Sequence, residues 1–559
     1  MLTGERAVVV LFLARILFSA PPSLILEAIS LVVLAFSALA VEIAADGSSG
    51  AVAALKTRPG ASSGILLGAV TLPAVMMSKL IQLSRASVIG EVELEGFEHA
   101  RVLCWSSSVC CFVALAFIFQ SVRFHGNKFV SLSRSSWILN CFIGIMFCAT
   151  VYINHAASGY EDLKWAVKVT WLLGHGAATV KLFHHILHTF PSCASIGEAL
   201  LVSAGLALHS GDMLRSTIVK AEEYLVSSEV VINHRANRSE ISIIIQGMVF
   251  GLLLFPLFFK FALRIGQHLL SSSYGVARAS NDIWKSILFF CSLAIALTVV
   301  IPSWVQFVLD FQMHPLLWVL VFTCSEPLKR LPLCVYWIIL ILVSVHKLYS
   351  ISKNSKLERI LLRKYYHLLA VLMFVPALVF QLEFLSLAFG AALAFFLVVE
   401  IVRVWRIWPL GEFVNQFMNA FTDHRDSDIL IVSHFSLLLG CALPMWMSSG
   451  FNDRPLAPFA GILSLGIGDT MASMVGYKYG VLRWSKTGKK TIEGTAAGIT
   501  SVLAACSILI PLLASTGYIL TQNWWSLLLA VTVTGLLEAY TAQLDNAFIP
   551  LVFYSLLCL

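Results

Sequence analysis

Apolar residues run along this chain in blocks of about 20, the length a helix needs to cross the hydrocarbon core of a bilayer. The blocks fall at 24–45, 62–82, 102–122, 136–156, 196–211, 241–263, 285–309 and 332–346, then at 365–381, 384–404, 428–448, 456–476, 493–514 and 525–542, with a short apolar tail from 547. Segments 165–190 and 313–324 fit either a span or an interfacial helix. Met1–Ser19 reads as a first membrane segment rather than a cleaved leader, because no small-residue cleavage pattern closes it before the next apolar run. Backbone polar groups in lipid must be satisfied within the segment, so the pattern predicts an all-α polytopic membrane protein of about 15 transmembrane helices.

The polar positions divide the chain in two. Up to about residue 350 they lie mostly in loops; beyond it Asp, Glu, Arg and Lys stand at the ends of spans or inside them. We therefore expect an N-terminal multi-span membrane region, 1–350, and a chemically active region, 351–559.

Composition sharpens this picture. Of 559 residues, 58% are hydrophobic and only 12% charged, about half the share in soluble domains, which excludes soluble classes. The excess of 38 Lys and Arg over 31 Asp and Glu is too small to suggest nucleic acid as a partner. The twelve cysteines are scattered through apolar runs without a CxxC pair and read as buried thiols.

The basic excess sets orientation instead. The connector 347–364 carries Lys347, Lys353, Lys356, Arg359, Arg363 and Lys364 against Glu358 alone, which places it in the cytosol. Counting two spans at a time returns the loop 405–427, then 477–491, then Asp545 and Asn546 to that same face. Four polar clusters thus share one side of the membrane, as expected of a single cytosol-facing site.

The densest cluster runs from Gly468 and Asp469 to Gly480 and on through Lys486, Lys489, Lys490, Thr491, Glu493 and Gly494. Gly468, Ala472, Gly476 and Gly480 fall on every fourth position, as do Gly494 and Gly498, the small-xxx-small pattern of closely packed membrane helices. Asp469 needs another explanation, since an ionisable residue within a span is a functional candidate. A basic, glycine-containing loop that enters a helix offers cationic side chains, backbone N–H groups and a helix N-terminus to phosphate oxygens, and a nearby carboxylate suits Mg²⁺ held largely by phosphates and water. Gly488-Lys489-Lys490 lacks the hydroxyl residue after the lysine and the earlier glycine of a P-loop. The H-R-D and D-F-G motifs of protein kinases are missing too.

The pattern Asp469-x-x-Ala472-x-x-x-Gly476-x-x-x-Gly480, then Lys489-Lys490-Thr491-x-Glu493-Gly494, resembles the CTP-binding segment shared by polyprenol kinases and CDP-diacylglycerol synthases. Further residues resemble the dolichol kinases in order and spacing: Arg363-Lys364-Tyr365-Tyr366-His367, Glu400 with Arg403, Asp423-His424-Arg425-Asp426 leading to His434, and Glu538 followed by Asp545-Asn546. The Asp-Arg-x-Asp ending expected of the synthase is not found.

The resemblance covers about residues 360–555. It implies transfer of the CTP γ-phosphate to dolichol or another long polyprenol, giving dolichyl phosphate and CDP for protein N-glycosylation. The site would face the cytosol from a multi-pass protein of the endoplasmic reticulum membrane, with Mg²⁺ or another divalent cation. In that reading Lys489 and Lys490, supported by Lys478 or Lys486, neutralise the phosphates, within a nucleotide-binding set that includes Gly476, Gly480, Thr491 and Gly494. Asp469 holds the metal or accepts the alcohol proton, Asp545 competes for that role, and Glu493 and Glu538 supply further carboxylates. Each carboxylate has a structural alternative, and Glu400 with Arg403, three apart on one helical face, reads more readily as an ion pair.

Other classes stay open at this point: a cytidylyltransferase of the synthase type, a kinase for shorter isoprenoid alcohols, and a multi-span transporter, although a transporter would show an internal repeat and midplane charges rather than one charged face. His184, His185 and His188, with His175 before them, have part of the spacing of a metal site, but further His-rich clusters do not accompany them. Asn237-Arg238-Ser239 is a glycosylation sequon.

Overall fold

A computed structural model describes residues 4–47, 57–58, 62–90, 94–123, 161–225, 239–270, 278–354, 359–419, 430–448, 453–484, 490–515 and 523–559. These residues are helical apart from short connections and one isolated β-bridge. Eight described helices are long and apolar enough to cross a membrane, and five shorter apolar helices accompany them. The expected span 136–156, and Asn237 and Arg238 of the sequon, lie outside the described residues.

Contacts divide the chain into two compact units, Met1–Leu214 with Leu443–Leu559, and Arg215–Ala442. The first unit begins with α1 (Gly4–Ser19), α2 (Ile25–Asp46), α3 (Ile65–Ile89), α4 (Leu94–Arg123), α5 (Glu161–Thr189) and most of α6 (Ile196–Leu225). Helix α3 is almost wholly buried, as expected of a segment apolar on every side. Arg6 of α1 places Nε 2.6 Å from Glu42 Oε1 on α2, and the other Glu42 oxygen accepts the Leu66 N–H at 2.6 Å. The apolar stripe of α1 is thereby joined to α2 and α3 by a buried charge with several partners, the condition under which a charge is tolerated away from water.

The second unit contains α7 (Glu240–Leu270), α8 (Arg278–Ile295), α9 (Ile301–Leu309), α10 (Pro315–Ser325), α11 (Pro327–Asn354), α12 (Arg359–Phe380), α13 (Leu382–Trp405), α14 (Leu410–Asn419) and most of α15 (Val432–Met447). Its core is aromatic: Phe289 meets Phe255 and Phe259 edge to face at 5.4 and 5.3 Å, and Phe259 stacks on Trp405 at 5.2 Å. Such pairs add to the burial of large apolar surfaces.

The first unit resumes with a π-helical stretch, Ile462–Asp469, then α16 (Thr470–Tyr479), α17 (Ile492–Ser515), α18 (Trp524–Tyr540) and α19 (Asp545–Leu557). The apolar block 456–476 is therefore not one continuous α-helix: a 3₁₀ turn at Ala457–Phe459, the π stretch and α16 divide it. Helix α19 packs on α3, and α18 on α1, so the end of the chain folds against its beginning.

The described cysteines are free thiols, but not all are buried: Cys291 and Cys324 are exposed and Cys334 is half-buried. All three lie on apolar helices, where an outward face meets lipid, so a small hydrophobe remains suited to it.

Candidate functional site

The π-helical stretch contains Gly466 and Gly468 and widens the turn immediately before Asp469. Hydroxyls compensate the loosened ladder: Ser464 donates to the Ala460 carbonyl at 2.7 Å and Thr470 to that of Leu465 at 3.4 Å. π-Turns inside helices are common at functional sites. Asp469 closes this one at 3% exposure, and Ser473 Oγ, one turn on, donates to its Oδ1 at 3.4 Å.

Helices α16 and α17 meet through their small residues. A Cβ at Gly494 would lie 2.5 Å from the Ala472 carbonyl oxygen, one at Gly498 3.0 Å from that of Gly468, and one at Gly476 2.8 Å from Thr491 Oγ1. Gly480 is similarly closed in by Thr491, whose hydroxyl accepts the Gly494 N–H at 3.2 Å and caps α17. Gly476, Gly480 and Gly494, expected around the nucleotide, thus have packing roles here, and Thr491 is a helix cap.

Between these helices the chain doubles back. The Ile492 N–H donates to Leu482 O at 2.8 Å and the Trp484 N–H to Lys490 O at 3.2 Å, with an antiparallel bridge from Arg483 to Thr491. Glu493 reinforces the fold-back by accepting the Leu482 N–H at 2.9 and 3.2 Å, and Trp484 Nε1 donates to Thr495 Oγ1 at 2.9 Å. Glu493 therefore braces the loop. The Ile492 and Gly494 amides have protein partners. What α17 still offers an anion is its dipole and the adjoining lysines.

Lys490 emerges at the base of this loop and reaches α18 and α19. Its Nζ donates to the Glu538 carbonyl and stands 3.7 Å from Asp545 Oδ1, with both side chains partly exposed. Asn546, next in the chain, is buried. Lys478 is exposed, its Nζ 5.0 Å from the Tyr479 ring centroid. Lys486 and Lys489 lie outside the described residues. A narrow cleft in this unit is lined mainly by apolar and small side chains, among them Gly468, Val502, Thr534 and Phe553, with Glu538 also on its wall.

Among the described residues no group of three or more His, Cys, Asp or Glu side chains is placed to hold a metal ion. By donor chemistry, a carboxylate such as Asp469 or Asp545 is the type of ligand Mg²⁺ takes, one or two at a time, its shell completed by phosphates and water. The histidines have other occupations: His184 stacks on His188 at 5.9 Å, and His175 Nδ1 lies 2.8 Å from the Trp171 carbonyl oxygen.

In the second unit, Lys364 and buried His367 lie on α12. Arg363 belongs to the same helix, but its side chain is outside the described residues, as are Asp423, Arg425 and Asp426. Arg403 forms a bidentate pair with Glu400, at 2.9 Å through Nε and 2.7 Å through Nη2, and Glu400 also accepts the Ile431 N–H at 3.0 Å. The ion-pair reading of these two residues is the one the geometry shows. His434 sits on α15, its ring 6.4 Å from that of Phe396.

Sequence reasoning missed Glu198, buried against the segment that precedes Asp545, and Gln543, buried within that segment. An acidic residue at the start of the apolar block 196–211 was the available signal.

The family profile described as dolichol kinase matches residues 177–442. The chain is 59% identical to the dolichol kinase EVAN of Arabidopsis thaliana over 564 aligned positions, covering 100% of this chain and 98% of that protein. This chain belongs to the dolichol kinase family. It is also 33% identical to dolichol kinase of Homo sapiens over 66% of either chain, and 30% identical to that of Saccharomyces cerevisiae over 48% of this chain and 49% of the yeast protein. No solved structure matches it. The similarity to the Arabidopsis dolichol kinase takes in both the family-profile region and the Lys490–Asp545 site that lies beyond it.

Proposed function

We propose that this protein transfers the γ-phosphate of CTP to the terminal hydroxyl of dolichol, releasing CDP, on the cytosolic face of the endoplasmic reticulum membrane. The observation that carries this reading is the full-length similarity to a dolichol kinase. It is supported by the presence in one unit of the Lys490–Asp545 pair and the buried carboxylate of Asp469.

Phosphoryl transfer asks a protein mainly to position its reactants and neutralise charge. Lys490 does this for the transferring phosphate, with Lys489, Lys486 and Lys478, its neighbours in the sequence, as further cations. When bound, a divalent cation draws charge from the phosphate oxygens, and Asp469 is the residue assigned to hold it. Asp545, held beside Lys490, is the competing carboxylate for the ion and for receiving the proton that leaves the alcohol. The polyprenol arrives from the bilayer, while CTP arrives from water. The kinase function is assigned to 351–559, with Arg363, Lys364, His367, Asp423, Arg425, Asp426 and His434 as supporting residues.

Membranes containing the protein are incubated with dolichol and CTP labelled at the γ- or the α-phosphate. Label from the γ position alone should enter the lipid. Entry of α label points to a cytidylyltransferase, and entry of neither overturns the reading. Phytol and farnesol offered in parallel should be poorer acceptors.

A further inference from the structure

The connection Thr541–Leu544 leaves α18 and delivers the chain to Asp545, and stretches far away in sequence hold it. The Leu544 N–H donates to Glu198 Oε1 at 2.7 Å. That carboxylate also accepts the Ser195 N–H at 2.8 Å and pairs with Arg58 Nη2 at 2.7 Å, at 3% exposure for Glu198 and 8% for Arg58. Gln543 is fully buried; its Nε2 donates to the Ser62 carbonyl at 3.0 Å and hydroxyl at 2.9 Å, and its Oε1 accepts from Ser195 Oγ. Gly64, at φ +59°, leaves room for the Gln543 amide: a Cβ there would lie 2.7 Å from Oε1.

A buried ion pair is weak as a source of stability, because well-packed apolar side chains of the same volume often do as well. Its distinctive property is direction. The bonds to Leu544 and Gln543 fix the backbone and a side chain just before Asp545, the Arg58 and Ser195 bonds hold Glu198 in place for this, and Asp545 stands 3.7 Å from Lys490. From this we infer that Glu198 and Gln543 are positioning residues for phosphoryl transfer: the N-terminal membrane region holds the 541–544 connection so that the Asp545 carboxylate is fixed against Lys490. The inference rests on the kinase function proposed above. It gives the first 214 residues a part in the reaction, through the geometry of one carboxylate.

The test uses full-length protein reconstituted with dolichol and γ-labelled CTP. Glu198→Gln and Gln543→Ala should each lower kcat per folded molecule at least tenfold while leaving KM for dolichol within twofold. Ser78→Ala, which removes the buried 2.6 Å hydroxyl pair with Ser555 elsewhere in the same unit, should lower the unfolding temperature and leave kcat unchanged. Glu198→Gln added to Asp545→Asn should cause little further loss, because coupled positions are not additive. This cycle is read in kcat and also in the CTP concentration that half-protects the protein from thermal unfolding, so an inactive Asp545→Asn still yields a value. Should Glu198→Gln not fold, Gln543→Ala takes its place in the same cycle.

Multiplicative losses overturn the inference. So does a kcat within twofold of wild type in the folded clamp variants, or an equal kcat loss in Ser78→Ala. Wild-type protein that labels no dolichol overturns the kinase reading instead.

Discussion

Lys490 Nζ lies 3.7 Å from Asp545 Oδ1, across the two helices that separate these residues in the chain. The contact joins the basic loop before α17 to the first turn of α19. The same Lys490 Nζ donates to the carbonyl of Glu538, and the buried Asp469 belongs to the same unit.

If Lys490 neutralises the transferring phosphate, Lys490→Ala should lower CTP-dependent dolichol phosphorylation by about 10²- to 10³-fold, the loss typical of removing one electrostatic stabiliser from a transition state. Replacing Lys489 as well should abolish it. Labelled-lipid assays on membranes matched for protein amount give the answer, and full activity in the double variant would place the site elsewhere.

Asp469 and Asp545 can be separated through the metal. If Asp469 holds the ion, Asp469→Asn should raise the Mg²⁺ concentration for half-maximal rate by about tenfold or more, because Mg²⁺ takes few protein ligands and one of them would be lost. Asp545→Asn should lower the rate at saturating Mg²⁺ with less change in that midpoint. Magnesium titrations of both variants decide, and reversed responses would exchange the roles.

The contact of α16 with α17 predicts a different kind of defect. In Gly494→Ala the new methyl would meet the Ala472 carbonyl at 2.5 Å, and forcing the two helices apart costs about 1–3 kcal/mol. A lower unfolding temperature of the solubilised protein should accompany lost activity. Unchanged stability with selective loss of CTP binding would instead favour a direct nucleotide role for this glycine.

Glu400 and Arg403 are 5% and 4% exposed. Removing either partner leaves a buried charge uncompensated, a loss of about 3–5 kcal/mol. Glu400→Ala and Arg403→Ala should therefore unfold at lower denaturant concentration with turnover per folded molecule kept within about twofold. Leucine at both positions should recover much of the loss. A fall in turnover at unchanged stability would move the pair into the chemistry.

Much of the site was legible along the chain because its signals are local. The parity of apolar blocks sent 477–491 and Asp545 to one face, and the structure brings Lys490 to Asp545. The four-residue spacing of Gly468, Ala472 and Gly476 announced a close helix contact, and Gly494 and Gly498 supply the other side of it. Less legible was the competition for each polar group. Glu493 reads equally well as a site carboxylate or a loop brace, and the Leu482 amide that occupies it becomes visible only once the loop has doubled back.

The sequence by itself determined a polytopic helical membrane protein with its scarce charges gathered in a few places, since hydropathy and charge are properties of each residue in turn. Burial was decided by tertiary structure. Blocks 62–82 and 332–346 look alike in sequence, yet the helix over the first is almost wholly enclosed and that over the second faces outward. Tertiary structure likewise assigned Glu198, Arg58 and Ser62 to the approach to Asp545. Polar groups removed from water must find partners. Which partners they find depends on where distant segments meet.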